Sequence, residues 1–246
     1  MLIYILFFTF LASIVSLFLV SVLLLKERII HRISFSLVSF AAGALLATAF
    51  LDTLKEAIEM GGDNVYLWVT LAVGGFFLIE RIFHFLHHHD DEDGEENLKL
   101  PIPFLLFGDG LHNFIDGVSI ASSFLVSFPL GVVTSIVVFI HEIPHELGDF
   151  GILLHKGWGR KKVIKFNIIT GLMSVVGALL AYFMGKSFDH VVPILLSITT
   201  ANFIYLSTTN LLPEIHNKAK KSLALGDIFF FFLGITFVAI LIRILG

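Results

Sequence analysis

The chain contains no cysteine. That excludes a disulfide framework and every thiolate metal site, so a transition-metal centre here must draw on His, Asp, Glu or Asn. Charge is scarce as well: 15% of the 246 residues are Asp, Glu, Lys or Arg, where a soluble domain carries about a quarter. With so little polar surface to face water, and with 57% hydrophobic residues and a mean hydropathy of +0.93, the chain reads as an integral membrane protein. The net charge of -4 is concentrated in a few loops, and no basic surface points to a nucleic-acid partner.

What is present is a series of eight apolar runs, each near the roughly 20 residues that span a bilayer as a helix. They cover approximately 2–25, 33–54, 65–86, 102–125, 129–154, 163–184, 191–212 and 225–245. The first has no basic flank before it and no small-residue cleavage site, and is read as a retained helix and not a signal peptide. Phenylalanine supplies 27 side chains suited to lipid-facing and interhelical surfaces, and Trp68 near a helix end and Trp158 in a loop beside basic residues are read as interfacial anchors. The fold class expected is all-α, a polytopic membrane protein in one domain over 1–246.

Thirteen of the sixteen Lys and Arg lie in the loops after the first, third, fifth and seventh runs; only Lys55, Lys186 and Arg243 lie on the other side. By the positive-inside rule those four loops are cytoplasmic and both termini face outside. The longest, over 87–100, places His87, His88 and His89 before a run of Asp and Glu. It reads as a solvated acidic connector or as a loose, unselective metal-gathering segment.

Asp52-Thr53-Leu54-Lys55-Glu56 at the end of helix two is echoed by Asn210-Leu211-Leu212-Pro213-Glu214 at the end of helix seven. The two helices run in opposite directions, so the echo fits an inverted repeat of helices 1–3 and 6–8 around helices 4–5.

Chemistry is concentrated where hydrocarbon would be expected. Helix four carries Asp109, His112, Asn113 and Asp116, with His112 and Asp116 four apart on one face. Gly108, Gly110 and Gly117 leave room for a close neighbour. Helix five carries His141-Glu142-Ile143-Pro144-His145-Glu146, an imidazole stripe and a carboxylate stripe side by side, with Asp149 a turn further on. Pro144 frees the carbonyl of Ile140 from its usual partner and invites a kink. Both clusters fall near mid-membrane, where an ionisable group costs roughly 2.5–3.5 kcal/mol on insertion scales, and the short loop Val126 to Phe128 makes the two helices antiparallel neighbours. Imidazole, carboxylate and amide ligands suit zinc first and iron(II), manganese or cobalt next, as one ion or a bridged pair. Glu146 is a supporting residue, and Asp109 and Asp149 line the cytoplasmic vestibule. Asn202, Tyr205 and Thr208 on helix seven are read as interhelical hydrogen-bonding groups, and His155 and His216 as surface residues.

His141-Glu142-Ile143-Pro144-His145 also fits H-E-x-x-H, the zinc protease pattern with Glu as general base. Against a peptidase stand the proline inside the motif, Glu146 directly after the second His, and more helix-four ligands than a single third ligand requires.

His112-Asn113-Phe114-Ile115-Asp116-Gly117 together with His141-Glu142-Ile143-Pro144-His145-Glu146 resembles the signature of the ZIP family of divalent-metal transporters. Leu147-Gly148-Asp149-Phe150 continues helix five as in the eukaryotic subfamily with the H-E-x-P-H-E form. Asn202-Phe203-Ile204-Tyr205 and Leu211-Leu212-Pro213-Glu214 resemble the family's helix seven. The resemblance implies metal uptake into the cytoplasm through a site between helices four and five, with no catalytic activity and no prosthetic group. It implies a principal site of His112, Asp116, His141 and His145 and a second of Asn113, Asp116, Glu142 and His145. The cargo would be Zn2+, with Fe2+, Mn2+ and Cd2+ as other candidates, and the assembly a homodimer in the bilayer. Two departures stand out: Lys55 replaces the proline of the family's helix-two Leu-Pro-Glu, and 163–184 hold no acid where some bacterial members place a glutamate. Short loops point to the plasma (inner) membrane of a prokaryote.

Overall fold

The computed structural model describes residues 1–23, 27–87, 102–213, 215 and 224–245. Among these the chain forms eight long helices. Helix α1 covers 2–23, α2 27–61, α3 Asn64–His87, α4 Ile102–Val126, α5 Phe128–His155, α6 Arg160–Ser187, α7 192–211 and α8 Ala224–Leu245. Seven are long and apolar enough to cross a membrane; the exception is α4, the helix that carries Asp109, His112, Asn113 and Asp116. The chain is thus a multi-pass, all-helical membrane protein. His88, His89 and the acidic run after them lie outside the described residues, as do His216 and Glu214, while His87 is the last residue of α3.

Helix two does not end at Asp52–Glu56. It continues to Gly61 and stops at Gly62, whose φ of +60° a side chain rarely adopts. Asp52 and Thr53 instead sit in an internal π-helical turn, Ala49–Thr53. The matching stretch of α7 is also π-helical, Leu206–Leu211, and α1 has a third such turn at Leu11–Val15. Single π turns inside α-helices leave backbone groups loosely paired and are common at functional sites.

The packing follows the expected inverted repeat. Exchanging α1 with α6, α2 with α7, α3 with α8 and α4 with α5 converts the observed α2–α8 pairing into α7–α3, α4–α7 into α5–α2 and α4–α6 into α5–α1, all of which are present. α7 is the most enclosed helix, and α3 and α8 lie at the periphery. Two pairs approach at backbone distance. A methyl group at Gly117 would overlap the Ser174 carbonyl and one at Gly177 the Phe114 carbonyl, which locks α4 to α6; Gly43 and Gly234 do the same for α2 and α8. Such small-residue contacts let helices associate by close packing where no hydrophobic effect acts. Gly110 makes ordinary contact with α6, but Gly108 faces open space, so only part of the predicted glycine surface is used.

Polar ties set the helix heights. Ser13 Oγ donates to Ser174 Oγ at 2.8 Å between α1 and α6, and Thr53 pairs with Thr200 at 2.8 Å between α2 and α7. Ser207 Oγ donates to the Ala42 carbonyl at 2.9 Å. Tyr205 donates to Glu80 of α3, an interhelical bond as expected, whereas Thr208 bonds the Ile204 carbonyl of its own helix. Trp158 lies in the α5–α6 loop with the Lys162 ammonium 3.8 Å from its ring centre, and His155 is exposed.

Candidate metal centre

Helix α5 starts sharply because Ser127, in an extended conformation, caps it by accepting a hydrogen bond from the Leu130 amide, with Pro129 in the first turn. That one-residue corner folds α5 back along α4 and fixes the register that matters. α5 runs through Pro144 as one helix, and His141 and Glu142 reach the level of His112 and Asp116.

His112, Asp116, His141 and Glu142 form a quartet whose ligand atoms all lie within 4.8 Å of one another. His112 Nε2 is 3.1 Å from Glu142 Oε1 and 3.5 Å from Asp116 Oδ2; His141 Nε2 is 3.1 Å from Asp116 Oδ2 and 3.9 Å from Glu142 Oε1. Four ligands held tetrahedrally at zinc bond lengths stand about 3.3 Å apart, so these separations suit a single small cation. Hydrogen bonding agrees. His112 Nε2 and both oxygens of Glu142 are buried without a hydrogen-bond partner, although the first pair is in close range. The atoms converge on a common point and are not aligned with each other. His141 Nδ1 donates to the Val137 carbonyl at 3.1 Å, which leaves Nε2 as the ligand atom.

Asn202 of α7 donates to Asp116 Oδ1 at 3.4 Å, leaving Oδ2 for the imidazoles. Asn113 stands beside the quartet, not in it. Its amide donates to Asp109 Oδ1 at 2.9 Å and to the Asp109 carbonyl at 3.2 Å, and its own Oδ1 is buried and unpartnered.

His145 departs from the expected ligand set. Its ring is 4.3 Å, centre to centre, from that of His112, but its Nε2 faces the other way, 3.6 Å from Asp149 Oδ2 and 3.9 Å from Asp109 Oδ1. Asp109, His145 and Asp149 make a second convergent group. The i, i+4 spacing of His141 and His145 stacks the two imidazoles one turn apart along α5, and that rise is enough to divide them between groups.

Glu146 is more enclosed than expected, 2% exposed, with Oε2 unpartnered and Glu142, Asp109 and Asp149 as its electrostatic neighbours. Asn202 is the interhelical hydrogen-bonding group expected of it, with Asp116 as the partner that the sequence did not name, and sequence reasoning passed over Asn167. Asn167 is 1% exposed on α6, both its amide atoms lack partners, and it sits one turn from Gly171, whose side-chain position lies 4.0 Å from Asn113 Oδ1. The available signal was a lone amide in an otherwise apolar stretch.

Residues 98–242, more than half of the chain, match the family model described as ZIP zinc transporter. The chain belongs to that family. Among curated relatives, Zinc transporter foi of Drosophila melanogaster is 37% identical over 126 residues, covering 51% of this chain and 18% of its own length. Zinc transporter ZIP10 of Mus musculus is 38% identical over 110 residues, 45% of this chain and 13% of its own. Zinc transporter ZIP13 of Pongo abelii is 32% identical over 196 residues, 73% and 58% respectively. The chain therefore spans less than two thirds of the length of each. The matched region of this ZIP family member includes every residue of both convergent groups.

Proposed function

We propose that this chain carries a divalent cation, zinc first and Fe2+, Mn2+ or Cd2+ as other cargo, across the membrane into the cytoplasm through the quartet between α4 and α5. The observation that carries this reading is the set of buried, unpartnered ligand atoms on His112 and Glu142. Two imidazoles and two carboxylates this far from water are costly alone, and a cation shared among them offsets that cost. The donor set fits zinc, with two nitrogens and two oxygens at tetrahedral spacing.

Asn202 and the Val137 carbonyl act from behind the ligands. The first fixes which Asp116 oxygen is free and the second fixes the His141 tautomer. Asn113 positions Asp109. The concentration of basic residues in the four odd-numbered connections supports a topology with those connections in the cytoplasm and both termini outside, and the inward direction of travel is taken from the family resemblance. The exposed edge of His145, 33% accessible, gives the cation a way off on that side, past Asp109 and Asp149 and toward the His87–His89 loop. We place the protein, one domain over 1–246, in a prokaryotic plasma membrane as a homodimer.

The peptidase reading finds no support in the geometry. H-E-x-x-H requires both histidines on one metal with the glutamate free for water, whereas His145 Nε2 faces Asp109 and Asp149 and Glu142 points into the quartet.

The test is uptake of radiolabelled zinc into proteoliposomes. His112→Ala and His141→Ala are each expected to abolish it, and unchanged uptake in either would remove the assignment. Because the ligands bind metal only when deprotonated, zinc binding is expected to weaken as pH falls; equal affinity across the acid range would contradict imidazole ligation.

A further inference from the structure

We propose, on the basis of the transport reading above, that Asp109, His145 and Asp149 form a second cation station and that His145 is the ligand that passes cargo to it from the quartet. Three side chains from two helices bring ligand atoms within 4.8 Å of one another. The group lies one to two turns of α5 from His141, on the side of the basic loops. It is preformed: Asn113 holds the Asp109 carboxylate, and Asp149 is 9% exposed at the next turn of α5 from His145.

An independent observation points to an ion there. Glu146 is enclosed, its Oε2 has no partner, and its charged neighbours are Glu142 on the quartet side and Asp109 and Asp149 on the other. A buried carboxylate flanked by three carboxylates gains nothing from its surroundings until a cation enters. With neighbours on both sides, it offers a further oxygen to a cation that passes from one group to the other.

His145 borders both groups. Its ring is tilted 30° to that of His112 at 4.3 Å, while its Nε2 is committed to the two aspartates. Rotation about its side-chain bonds carries Nε2 between His112 and Asp149 without movement of either helix. The two stations also differ in chemistry. The quartet offers two nitrogens and two oxygens, the second group one nitrogen and two or more oxygens, a harder and weaker set for zinc. An affinity that steps down toward the accessible side, with a second ion able to push the first, satisfies the requirement that a pathway bind tightly enough to select and loosely enough to release.

The experiment is equilibrium zinc binding to the purified full chain in detergent, paired with uptake in proteoliposomes. The Asp109→Asn/Asp149→Asn double variant is expected to bind one ion fewer than the unmodified chain, to lose the weaker one, and to take up zinc at least about tenfold more slowly at an unchanged KM. His141→Ala is expected to lose the tighter ion instead. Equal stoichiometry in the double variant and the unmodified chain overturns the second station. Should the double variant not fold, the unmodified chain decides: loaded with copper(II), it is expected to show dipolar broadening between ions about 6 Å apart, one helical turn, and a spectrum of isolated ions overturns the proposal. Broadening without any zinc uptake would keep the station and discard the transport reading. Uptake without a second ion would do the reverse.

Discussion

On the side of the quartet away from the basic loops, α2, α4, α5 and α7 are tied by hydroxyls that meet in pairs. Thr53 meets Thr200 at 2.8 Å, Ser123 meets Thr134 at 2.9 Å and Ser122 meets Thr199 at 3.1 Å. On the basic-loop side α4 and α5 carry carboxylates and imidazoles, and several of their buried atoms have no partner. A hydroxyl both donates and accepts, so two of them satisfy each other and close a seam without charge. A carboxylate only accepts, so a group of them stays unsatisfied until a cation arrives. One half of the bundle is therefore built to be shut in this conformation and the other to be occupied. Asp52, whose Oδ2 is buried and unpartnered beside Thr53, departs from this pattern, and so does Ser119. Ser119 lies three residues from Asp116, at the boundary, and its Oγ is buried with no partner.

That contrast can be broken at several points. The largest effect is expected from Gly177→Leu, which forces α6 off the Phe114 carbonyl and undermines both halves at once. Overpacking of this kind typically costs about 1–3 kcal/mol and occasionally more, read as a lowered unfolding temperature in detergent. Next, Asp116→Asn is expected to reduce zinc uptake by about a hundredfold or more with little change in unfolding temperature, because the isosteric amide keeps the bond to Asn202 in reach. Asn202→Leu, which removes only the support behind Asp116, is expected to weaken zinc binding about tenfold in an equilibrium assay. The smallest effect belongs to the seam. A Thr53→Val/Thr200→Val double-mutant cycle is expected to give a coupling energy of about 0.6 kcal/mol from unfolding equilibria, with zinc affinity at the quartet unchanged. A loss of affinity there as large as in Asp116→Asn would erase the distinction between the two halves.

The sequence made the eight helices legible because hydrocarbon tolerates so few alternatives: apolar runs of the right length between charged loops have one reading. Residue spacing also set the helix-four and helix-five clusters at one depth, since two antiparallel helices joined by a short loop share a register, but it did not divide their side chains into a quartet and a second group. The fate of His145 was not legible. Periodicity puts it on the stripe of His141, but whether its Nε2 turns toward His112 or Asp149 depends on a side-chain rotation that spacing does not encode. Asn202 was hidden for a different reason. It reaches Asp116 from α7, far along the chain, at a height fixed by ties such as those of Thr199 to α4 and Thr200 to α2. The end of α2 was misjudged because the apolar run closes where Lys55 and Glu56 begin, and Glu59 follows one turn on. The structure keeps them helical, with Lys55 3.7 Å from Glu56 and 3.6 Å from Glu59.

Gly117 follows Asp116 directly, and its missing side chain admits the Ser174 carbonyl of α6. A member of the convergent quartet and a backbone contact thus occupy adjacent positions, and the Asp-Gly pair offers chemistry in its first residue and carpentry in its second. For protein engineering, α4 and α6 are one part. A chimera that imports the metal-binding helix of a relative without that relative's α6 inherits the ligands but loses the surface that holds them at depth, and a graft that moves both helices together is the smaller change.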